Sequence, residues 1–266
     1  MLTTRFVDGA PNWMDLGTPD LDGATAFYTA LFGWEYEPGG PETGGYGMFT
    51  LDGRTVGGAM TVAEEQSKPS WSVYFQTADA DATAQLVRES GGAAAFAPMD
   101  VLEFGRMGGF TDRAGAYFGV WQPKLIPGLG VVGDTGSLCW AELCTPDVPA
   151  AAAFYHAVFG WESAQVPYPD GGGSYTLIRT SGGGEEAGFG GLVPLEAVPV
   201  RAVVGPHWLP YIEVDDCDAA VAEAERLGGR LTREPLEVRG VGTFADVTDP
   251  YGAAFAVIKS APTPAG

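Results

Sequence analysis

Two carboxylates each stand two residues after a tryptophan: Asp15 follows Trp13, and Glu142 follows Trp140. Both pairs lie in short segments of alternating polarity that predict β-strands. Residues two apart share a strand face, so each tryptophan has a carboxylate beside it. An inward carboxylate is costly unless it is hydrogen-bonded or solvated, so Asp15 and Glu142 either pair structurally or contact a ligand. Because a buried carboxylate can act as a general base, they are also the catalytic candidates.

Two later strand-like segments add aromatic side chains to the candidate site. Alternation places Tyr74 on the face of Ser72 and Tyr211 on the face of Leu209, while His207 stands at the entrance of the second segment. Flat apolar surface with a few polar anchors suits a planar aromatic ligand. The predicted ligand-binding residues are Trp13, Asp15, Tyr74, Trp140, Glu142, His207 and Tyr211. The same aromatic residues are also typical of a hydrophobic core, so both interpretations stay open.

An internal repeat determines which elements position these residues. Residues 11–35 (PNWMDLGTPDLDGATAFYTALFGWE) correspond to residues 138–162 (LCWAELCTPDVPAAAAFYHAVFGWE) at an offset of 127. Each copy predicts a strand, a Thr-Pro-Asp turn and an amphipathic helix that ends at Gly33 or Gly160. The threonine or the aspartate of each turn is expected to cap its helix.

The repeat continues to the end of the chain. Residues 69–92 correspond to 206–229, each a strand and a helix closed by Gly-Gly, and the hairpin-like segments 105–122 and 242–259 follow. The offset here is 137, and we expect the ten extra residues in TSGGGEEAGFGG and the following PLEAVPVRAVV segment. The sequence therefore predicts two modules, 1–125 and 138–266, joined by a Gly-rich linker over 126–137.

Three features of the repeat resemble the vicinal oxygen chelate superfamily: a strand followed by Pro-Asp, a helix closed by Gly-Gly, and a Thr-Asp-Pro ending. This superfamily comprises glyoxalases, bleomycin resistance proteins and extradiol dioxygenases. The segments PNWMDL and WAEL are most similar to those of actinobacterial two-module members. These members include mycobacterial antigen-like proteins and proteins of anthracycline and other aromatic polyketide pathways. The resemblance implies an α+β fold of two tandem modules. Each would consist of paired βαβββ units whose curled mixed sheets form a cavity.

Superfamily members that use a metal place His, Glu or Gln at three strand positions. The resemblance puts these positions at Trp13, Ser72 and Gly119 in one module and at Trp140, Leu209 and Ala256 in the other. None of these side chains is an ordinary ligand for the divalent metals concerned. The only histidines are His156, expected on a helix surface, and His207. We therefore expect no metal and no cofactor.

Composition narrows the class of function. Hydrophobic residues make up 45% of the chain and charged residues 18%, which is typical of a folded globular protein. A formal charge of −20 disfavours nucleic acid and anionic membranes as partners. We find no apolar run of membrane-spanning length and no signal-peptide pattern, and we expect a cytoplasmic location. The three unpaired cysteines are expected to be reduced and mostly buried.

The leading hypothesis is a metal-free protein that binds a small, planar aromatic molecule such as a polyketide. It would serve antibiotic biosynthesis or resistance and assist a pathway oxygenase or cyclase, as a monomer or a homodimer. One alternative is a glyoxalase-like lyase or isomerase, or an oxygenase, acting on a small carbonyl or aromatic substrate. Another is a degenerate module pair that serves as an interaction or stress protein.

Overall fold

A computed structural model describes residues 2–63, 68–168, 173–184, 187–198, 201 and 203–262. The strands of the first repeat are β1 (Pro11–Thr18), β2 (Glu35–Glu37), β3 (Gly47–Leu51), β4 (Arg54–Thr61), β5 (Ser70–Gln76), β6 (Ala93–Val101), β7 (Gly105–Thr111) and β8 (Tyr117–Pro123). Those of the second repeat are β9 (Leu138–Thr145), β10 (Glu162–Pro167), β11 (Ser174–Arg179), β12 (Gly188–Pro194), β13 (His207–Glu213), β14 (Arg230–Val238), β15 (Gly242–Thr248) and β16 (Ala254–Ser260). The α-helices whose bounds the structure describes are α1 (Leu21–Phe32), α2 (Ala80–Glu89), α3 (Val148–Phe159) and α4 (Cys217–Arg226).

Each repeat forms one eight-stranded mixed sheet. The strand orders are β2-β3-β4-β1-β5-β8-β7-β6 and β10-β11-β12-β9-β13-β16-β15-β14. The β1/β4 and β5/β8 pairs are parallel and the intervening hairpins are antiparallel, and the second sheet repeats this pattern. Each sheet thus consists of two βαβββ units, which confirms the fold predicted from the repeat.

The helix ends follow the predicted chemistry. The Asp20 carboxylate accepts a hydrogen bond from Gly23 N at 3.0 Å, and the Asp147 carboxylate accepts one from Ala150 N at 2.9 Å. These bonds satisfy amides that have no partner within the helix. Gly33 and Gly160 end α1 and α3 in the left-handed region, at φ of 73° and 72°. The aspartates rather than the threonines therefore supply the caps.

The chain divides into two compact units, each of which combines parts of both repeats. The first unit comprises residues 1–13, 72–129 and 140–209, and the second comprises 14–71, 130–139 and 210–266. Aromatic residues dominate the core of the first unit, including Phe75, Phe118, Phe154, Tyr155, Trp161, Phe189 and Trp208. The second unit has a comparable set of buried aromatic side chains in mutual contact: Phe27, Tyr28, Trp34, Phe49, Trp71 and Phe255.

The ten extra residues of the second repeat fall in three connections. Tyr46 and Tyr175 occupy equivalent places over Gly58 and Gly191, so the offset has risen to 129 at the tyrosines and to 133 at the glycines. It reaches 137 at β13. Two residues are therefore added before Tyr175, four between β11 and β12, and four between β12 and β13. The last two connections agree with the expected segments, whereas the first addition was not anticipated.

Two smaller expectations concern the cysteines and the membrane. All three cysteines are free thiols; Cys144 and Cys217 are buried and Cys139 is half-buried, as expected. Among the described residues, no helix combines the length and the apolar character needed to cross a membrane.

Candidate functional site

A polar cluster lies inside the first compact unit, around Glu142 on β9. Glu142 pairs with Gly191 on the parallel strand β12, and a Cβ atom on Gly191 would stand 1.9 Å from the hydroxyl oxygen of Tyr175. Glycine is therefore required for the tyrosine to cross the sheet at this point. The second unit repeats the arrangement, because Asp15 pairs with Gly58 and a Cβ atom there would stand 1.9 Å from the hydroxyl oxygen of Tyr46.

Hydrogen bonds join the members of the Glu142 cluster into a chain. The indole Nε1 of Trp140 donates to the Tyr175 hydroxyl at 3.0 Å, and that hydroxyl donates to Glu142 Oε1 at 2.8 Å. The other carboxylate oxygen, Oε2, accepts from the Arg201 guanidinium in an ion pair. The guanidinium also lies 3.4 Å from Cys144 Sγ. Both carboxylate oxygens have donors, so the geometry favours Glu142 as a group that fixes its neighbours.

Burial makes the ion pair the dominant electrostatic feature of the cluster. The side chains of Arg201 and Glu142 are 4% and 9% exposed. An isolated charge at such depth costs several kcal/mol, and a paired one offsets that cost only with good geometry and further hydrogen bonds. The Tyr175 hydroxyl supplies one such bond. From the sequence, Glu142 was expected either to pair within the structure or to contact a ligand, and neither Tyr175 nor Arg201 was anticipated.

Two signals in the sequence point to these missed residues. Tyr46 and Tyr175 stand twelve and sixteen residues before the glycines they cover, at matching places in the two repeats. Arg201 is the one cation within an otherwise apolar stretch, VPVRAVV, of the connection that is longer in the second repeat. A lone charge in an apolar segment often has a buried partner.

A group of buried aromatic side chains, Trp13, Tyr74 and Trp121, forms the second feature of the first compact unit and is here called the aromatic wall. Trp13 on β1 stacks on Trp121 of β8, with ring centroids 6.4 Å apart and an interplanar angle of 25°. Tyr74 on β5 pairs with Gly119 on β8, where a Cβ atom would stand 2.1 Å from the Tyr74 ring. The missing side chain at Gly119 therefore lets the tyrosine ring lie across the sheet. Trp121 was not among the predicted residues.

The remaining predicted residues lie in different surroundings. Asp15 is half-buried on β1. Tyr211 is buried, and its ring centroid lies 5.9 Å from that of Phe244. The guanidinium carbon of Arg233 lies 4.9 Å from the centroid of the same Phe244 ring. His207 is half-buried at the start of β13, with Nδ1 2.7 Å from Gly205 O.

The side chains at the expected metal positions do not fit a metal. Trp13 is stacked on Trp121, the Trp140 indole donates to Tyr175, and Gly119 is covered by the Tyr74 ring. Leu209 and Ala256 are buried apolar residues, and Ser72 is half-buried. Within the described ranges, no three His, Cys, Asp or Glu residues stand close enough to hold a metal ion. We therefore derive no chemical step through a metal.

Two surface clefts of the first compact unit are lined by residues other than those of the Glu142 cluster. One, of about 490 Å³, is lined by Ala152, Ala153, His156, Trp161, Glu162, Ser163 and Arg179. The other, of about 250 Å³, is lined by Asp112, Arg113, Ala114, Thr145, Pro146, Asp147, Ala150, Ala151 and Phe154. Neither lining includes a predicted ligand-binding residue. His156 is exposed in the first cleft, with Nδ1 2.8 Å from Trp161 O, in agreement with its expected surface location.

Comparison with known families decides the assignment. The family model described as the Glyoxalase/Bleomycin resistance protein/Dioxygenase superfamily matches residues 10–120 and 137–257, which is one match for each repeat. The chain belongs to this superfamily. In this glyoxalase superfamily member the second match begins at residue 137, the last residue of the predicted linker.

Two relatives from actinobacteria are similar to this chain over nearly the whole length of both proteins. The chain is 38% identical over 268 residues to the putative glyoxylase CFP32 of Mycobacterium tuberculosis, covering 97% of this chain and 98% of the relative. It is also 38% identical over 271 residues to the anthracycline biosynthesis protein DnrV of Streptomyces peucetius, covering 96% and 95%.

Solved structures of the superfamily show the same fold at low sequence identity. The 2,3-dioxygenase LapB from Pseudomonas sp. KL28 matches with a TM-score of 0.65 at 13% identity, over 97% of this chain and 96% of that protein. The Mn(II)-bound glyoxalase from Novosphingobium aromaticivorans matches with a TM-score of 0.62 at 15% identity, over 97% and 89%.

Proposed function

We propose that this protein binds a small, planar aromatic molecule, such as a polyketide, as an accessory protein of antibiotic biosynthesis or resistance in the cytoplasm. The observation that carries the proposal is the aromatic wall of Trp13, Trp121 and Tyr74. Stacked indoles offer area to a flat ring system, and neighbouring polar groups fix its orientation. The partner would be the aromatic molecule and, in the pathway, an oxygenase or cyclase that acts on it.

The similarity to DnrV supports this proposal, because that relative, 38% identical across nearly the whole chain, is named an anthracycline biosynthesis protein. We further propose that binding needs no metal, because the side chains at the three expected positions of each repeat lack metal-coordinating groups suited to a divalent ion.

Metal analysis paired with a ligand titration tests this proposal. The purified protein is assayed for bound metals, then titrated with a hydroxyanthraquinone while tryptophan fluorescence is followed, with and without a chelator. We expect saturable quenching that the chelator does not change. Stoichiometric metal together with chelator-sensitive binding would contradict the metal-free mode, and absence of saturable binding would contradict the ligand class.

A glyoxalase-like activity is the second candidate function, because the equally similar relative CFP32 is named a putative glyoxylase. Such a lyase or isomerase would act on a small carbonyl compound. The protein is incubated with the hemithioacetal of methylglyoxal and a thiol, alone and with Mn²⁺, Ni²⁺ or Zn²⁺. Metal-stimulated turnover would favour this candidate over the binding protein. Equal rates with protein and with buffer would remove it.

A further inference from the structure

The smaller surface cleft of the first compact unit is lined by a hairpin turn and by the first turn of a helix. Its lining includes Ala114, in the turn between β7 and β8, and Asp147 and Ala150 at the beginning of α3. The cleft measures about 250 Å³, which is below the ~300–1,000 Å³ of ordinary ligand pockets. It therefore suits a single ring and not an extended ring system.

The second compact unit has the same two turns, and there a tyrosine joins them. The offsets of the repeat make Tyr251 equivalent to Ala114 and Asp20 equivalent to Asp147. The Tyr251 hydroxyl donates a hydrogen bond to Asp20 Oδ2 at 2.8 Å. The aspartate that caps the helix thus holds a phenolic ring in the second unit, whereas the equivalent position in the first unit carries only a methyl group.

The backbone around these positions has the same geometry in both units. The amide of Tyr251 donates to Asp249 Oδ1 at 3.0 Å, and the amide of Ala114 donates to Asp112 Oδ1 at 2.9 Å. The aspartate caps of α1 and α3 also match, because each accepts the amide three residues later through Oδ1. Since the turn and the cap correspond, the ring that is missing at Ala114 accounts for the cleft.

The other side chains of the cleft suit a phenolic ring. Pro146 and Phe154 supply apolar contacts, and the guanidinium of Arg113 can lie over an aromatic face. The Asp147 carboxylate can accept the hydroxyl, and a hydrogen bond to a charged acceptor is about twice as strong as one between neutral groups. The positive charge of Arg113 disfavours an amine in the same place.

One difference between the units moves the expected position of a ligand hydroxyl. A Cβ atom on Gly23 would stand 1.7 Å from the hydroxyl oxygen of Tyr251, and the equivalent of Gly23 is Ala150. The methyl group of Ala150 therefore keeps a ligand hydroxyl further from α3 than the Tyr251 hydroxyl is from α1. Replacing Ala150 by glycine should let the hydroxyl approach.

We propose that the cleft beside Ala114 binds a single phenolic ring whose hydroxyl donates to Asp147, much as Tyr251 donates to Asp20 in the second unit. A free phenol and the tyrosine side chain of a partner polypeptide offer the same chemistry. The cleft shares no residue with the aromatic wall, so phenol binding here is independent of the proposed function.

NMR titration of the ¹⁵N-labelled full chain with p-cresol tests this site. We expect saturable shifts of the Ala114 and Ala150 amides in the millimolar range. Ala150→Gly should strengthen binding about 2-fold or more, because the hydroxyl gains a shorter hydrogen bond. Ala114→Tyr added to Ala150→Gly reproduces the second unit. It should weaken binding about 10-fold or more relative to Ala150→Gly alone, because a tethered ring competes at high effective concentration.

Two matched pairs test the role of the hydroxyl and its acceptor. Asp147→Asn should weaken p-cresol binding about 3-fold or more, since asparagine caps a helix as well as aspartate does but carries no charge. Asp20→Asn is the control in the second unit and should change binding less than about 2-fold. N-acetyltyrosinamide should bind more tightly than N-acetylphenylalaninamide, which lacks the hydroxyl. Thermal unfolding shows that each variant folds.

The relative affinities also identify the source of the ring. Tighter binding of N-acetyltyrosinamide than of p-cresol would indicate the tyrosine of a partner polypeptide, and the reverse order would indicate a free phenol. Three results would each overturn the site: saturable shifts that bypass Ala114 and Ala150 or no such shifts at all, equal binding by Ala150→Gly with and without Ala114→Tyr, and equal binding of the tyrosine and phenylalanine amides.

Discussion

The hydroxyl of Tyr28 donates a hydrogen bond to Asp249 Oδ2 at 3.2 Å across a sequence separation of 221 residues. The same hydroxyl accepts from Trp71 Nε1 at 2.8 Å, and Asp249 Oδ1 accepts from three backbone amides of its turn. A helix of the first repeat is thereby fastened to a turn of the second within one compact unit. Tyr155 repeats the arrangement in the other unit, donating to Asp112 at 3.3 Å and accepting from Trp208 at 2.9 Å.

Removing either tyrosine hydroxyl should destabilise the protein. Tyr28→Phe leaves the indole N–H of Trp71 and an oxygen of Asp249 buried without this partner, at a cost of about 1–3 kcal/mol in the free energy of unfolding. Tyr155→Phe should cost a similar amount. Urea denaturation followed by fluorescence gives both values. Tyr251→Phe is the matched control, because its bond to Asp20 is exposed, and it should cost less than about 0.5 kcal/mol. Equal effects from all three variants would contradict this account.

The buried aspartates of these turns and the exposed aspartate that caps α1 should differ in acidity. Burial raises the pKa of Asp249 and of Asp112 above 3.8, although backbone hydrogen bonds oppose the shift. At the surface, the amide of Gly23 lowers the pKa of Asp20 below 3.8. NMR titration of the carboxyl carbons in the folded protein should therefore give midpoints above 3.8 for the first two groups and below it for Asp20. A midpoint for Asp249 below that of Asp20 would show that the buried turn is hydrated.

These two pKa shifts make the free energy of unfolding depend on pH in opposite directions. A raised folded-state pKa means that the folded protein binds the proton more tightly, so the contribution of Asp249 is full below pH 3.8 and is lost as the pH rises through its folded pKa. A lowered pKa means that Asp20 contributes above pH 3.8 and loses its contribution as the pH falls. The free energy of unfolding of wild type, relative to that of Asp249→Asn, should therefore decrease as the pH rises above 3.8. The opposite slope would contradict the assignment.

Two of the cysteine thiols should be unreactive in the folded protein. Burial raises the pKa of Cys217 to about 11, and the nearby Asp218 and Asp216 add to the shift. Burial and then the Glu213 carboxylate raise the pKa of Cys139 well above 9.0. Because the thiolate is the reactive form, Ellman's reagent at pH 8 should modify the native chain slowly and the urea-unfolded chain rapidly. Fast modification of Cys139 or Cys217 in the native protein, located by mass spectrometry, would disprove the prediction.

An unusual buried amide suggests a stabilising substitution. Asn12 is fully buried on β1, and neither polar atom of its side chain has a hydrogen-bond partner among the described residues. Its equivalent in the second repeat is Cys139. Asn12→Cys should therefore raise the free energy of unfolding by about 1 kcal/mol, since it removes an unsatisfied group, whereas Asn12→Asp should lower it. Urea denaturation measures both. A destabilised Asn12→Cys protein would show that a bound water satisfies the amide.

The repeat was readable from the sequence because it depends on local chemistry. Aspartate caps, glycine helix ends and the alternation around Trp13 and Trp140 involve residues close together in the chain. The two βαβββ units of each repeat follow from these patterns. The distribution of the ten extra residues was partly predictable, because glycine-rich connections tolerate insertions. The two residues added before Tyr175 were not predicted from the sequence.

The sequence by itself determined the two repeats, the α+β fold of the superfamily, the helix ends and the carboxylates at Asp15 and Glu142. Only the tertiary structure decided which side chains contact Glu142. Glu142 lies 59 residues before Arg201, and nothing in the spacing pairs them. The pairing depends on a longer connection that carries one arginine into the interior, where a charge requires a partner. Likewise, Tyr28 and Asp249 meet because each compact unit combines parts of both repeats. Long-range contacts of this kind follow from packing and not from local propensity.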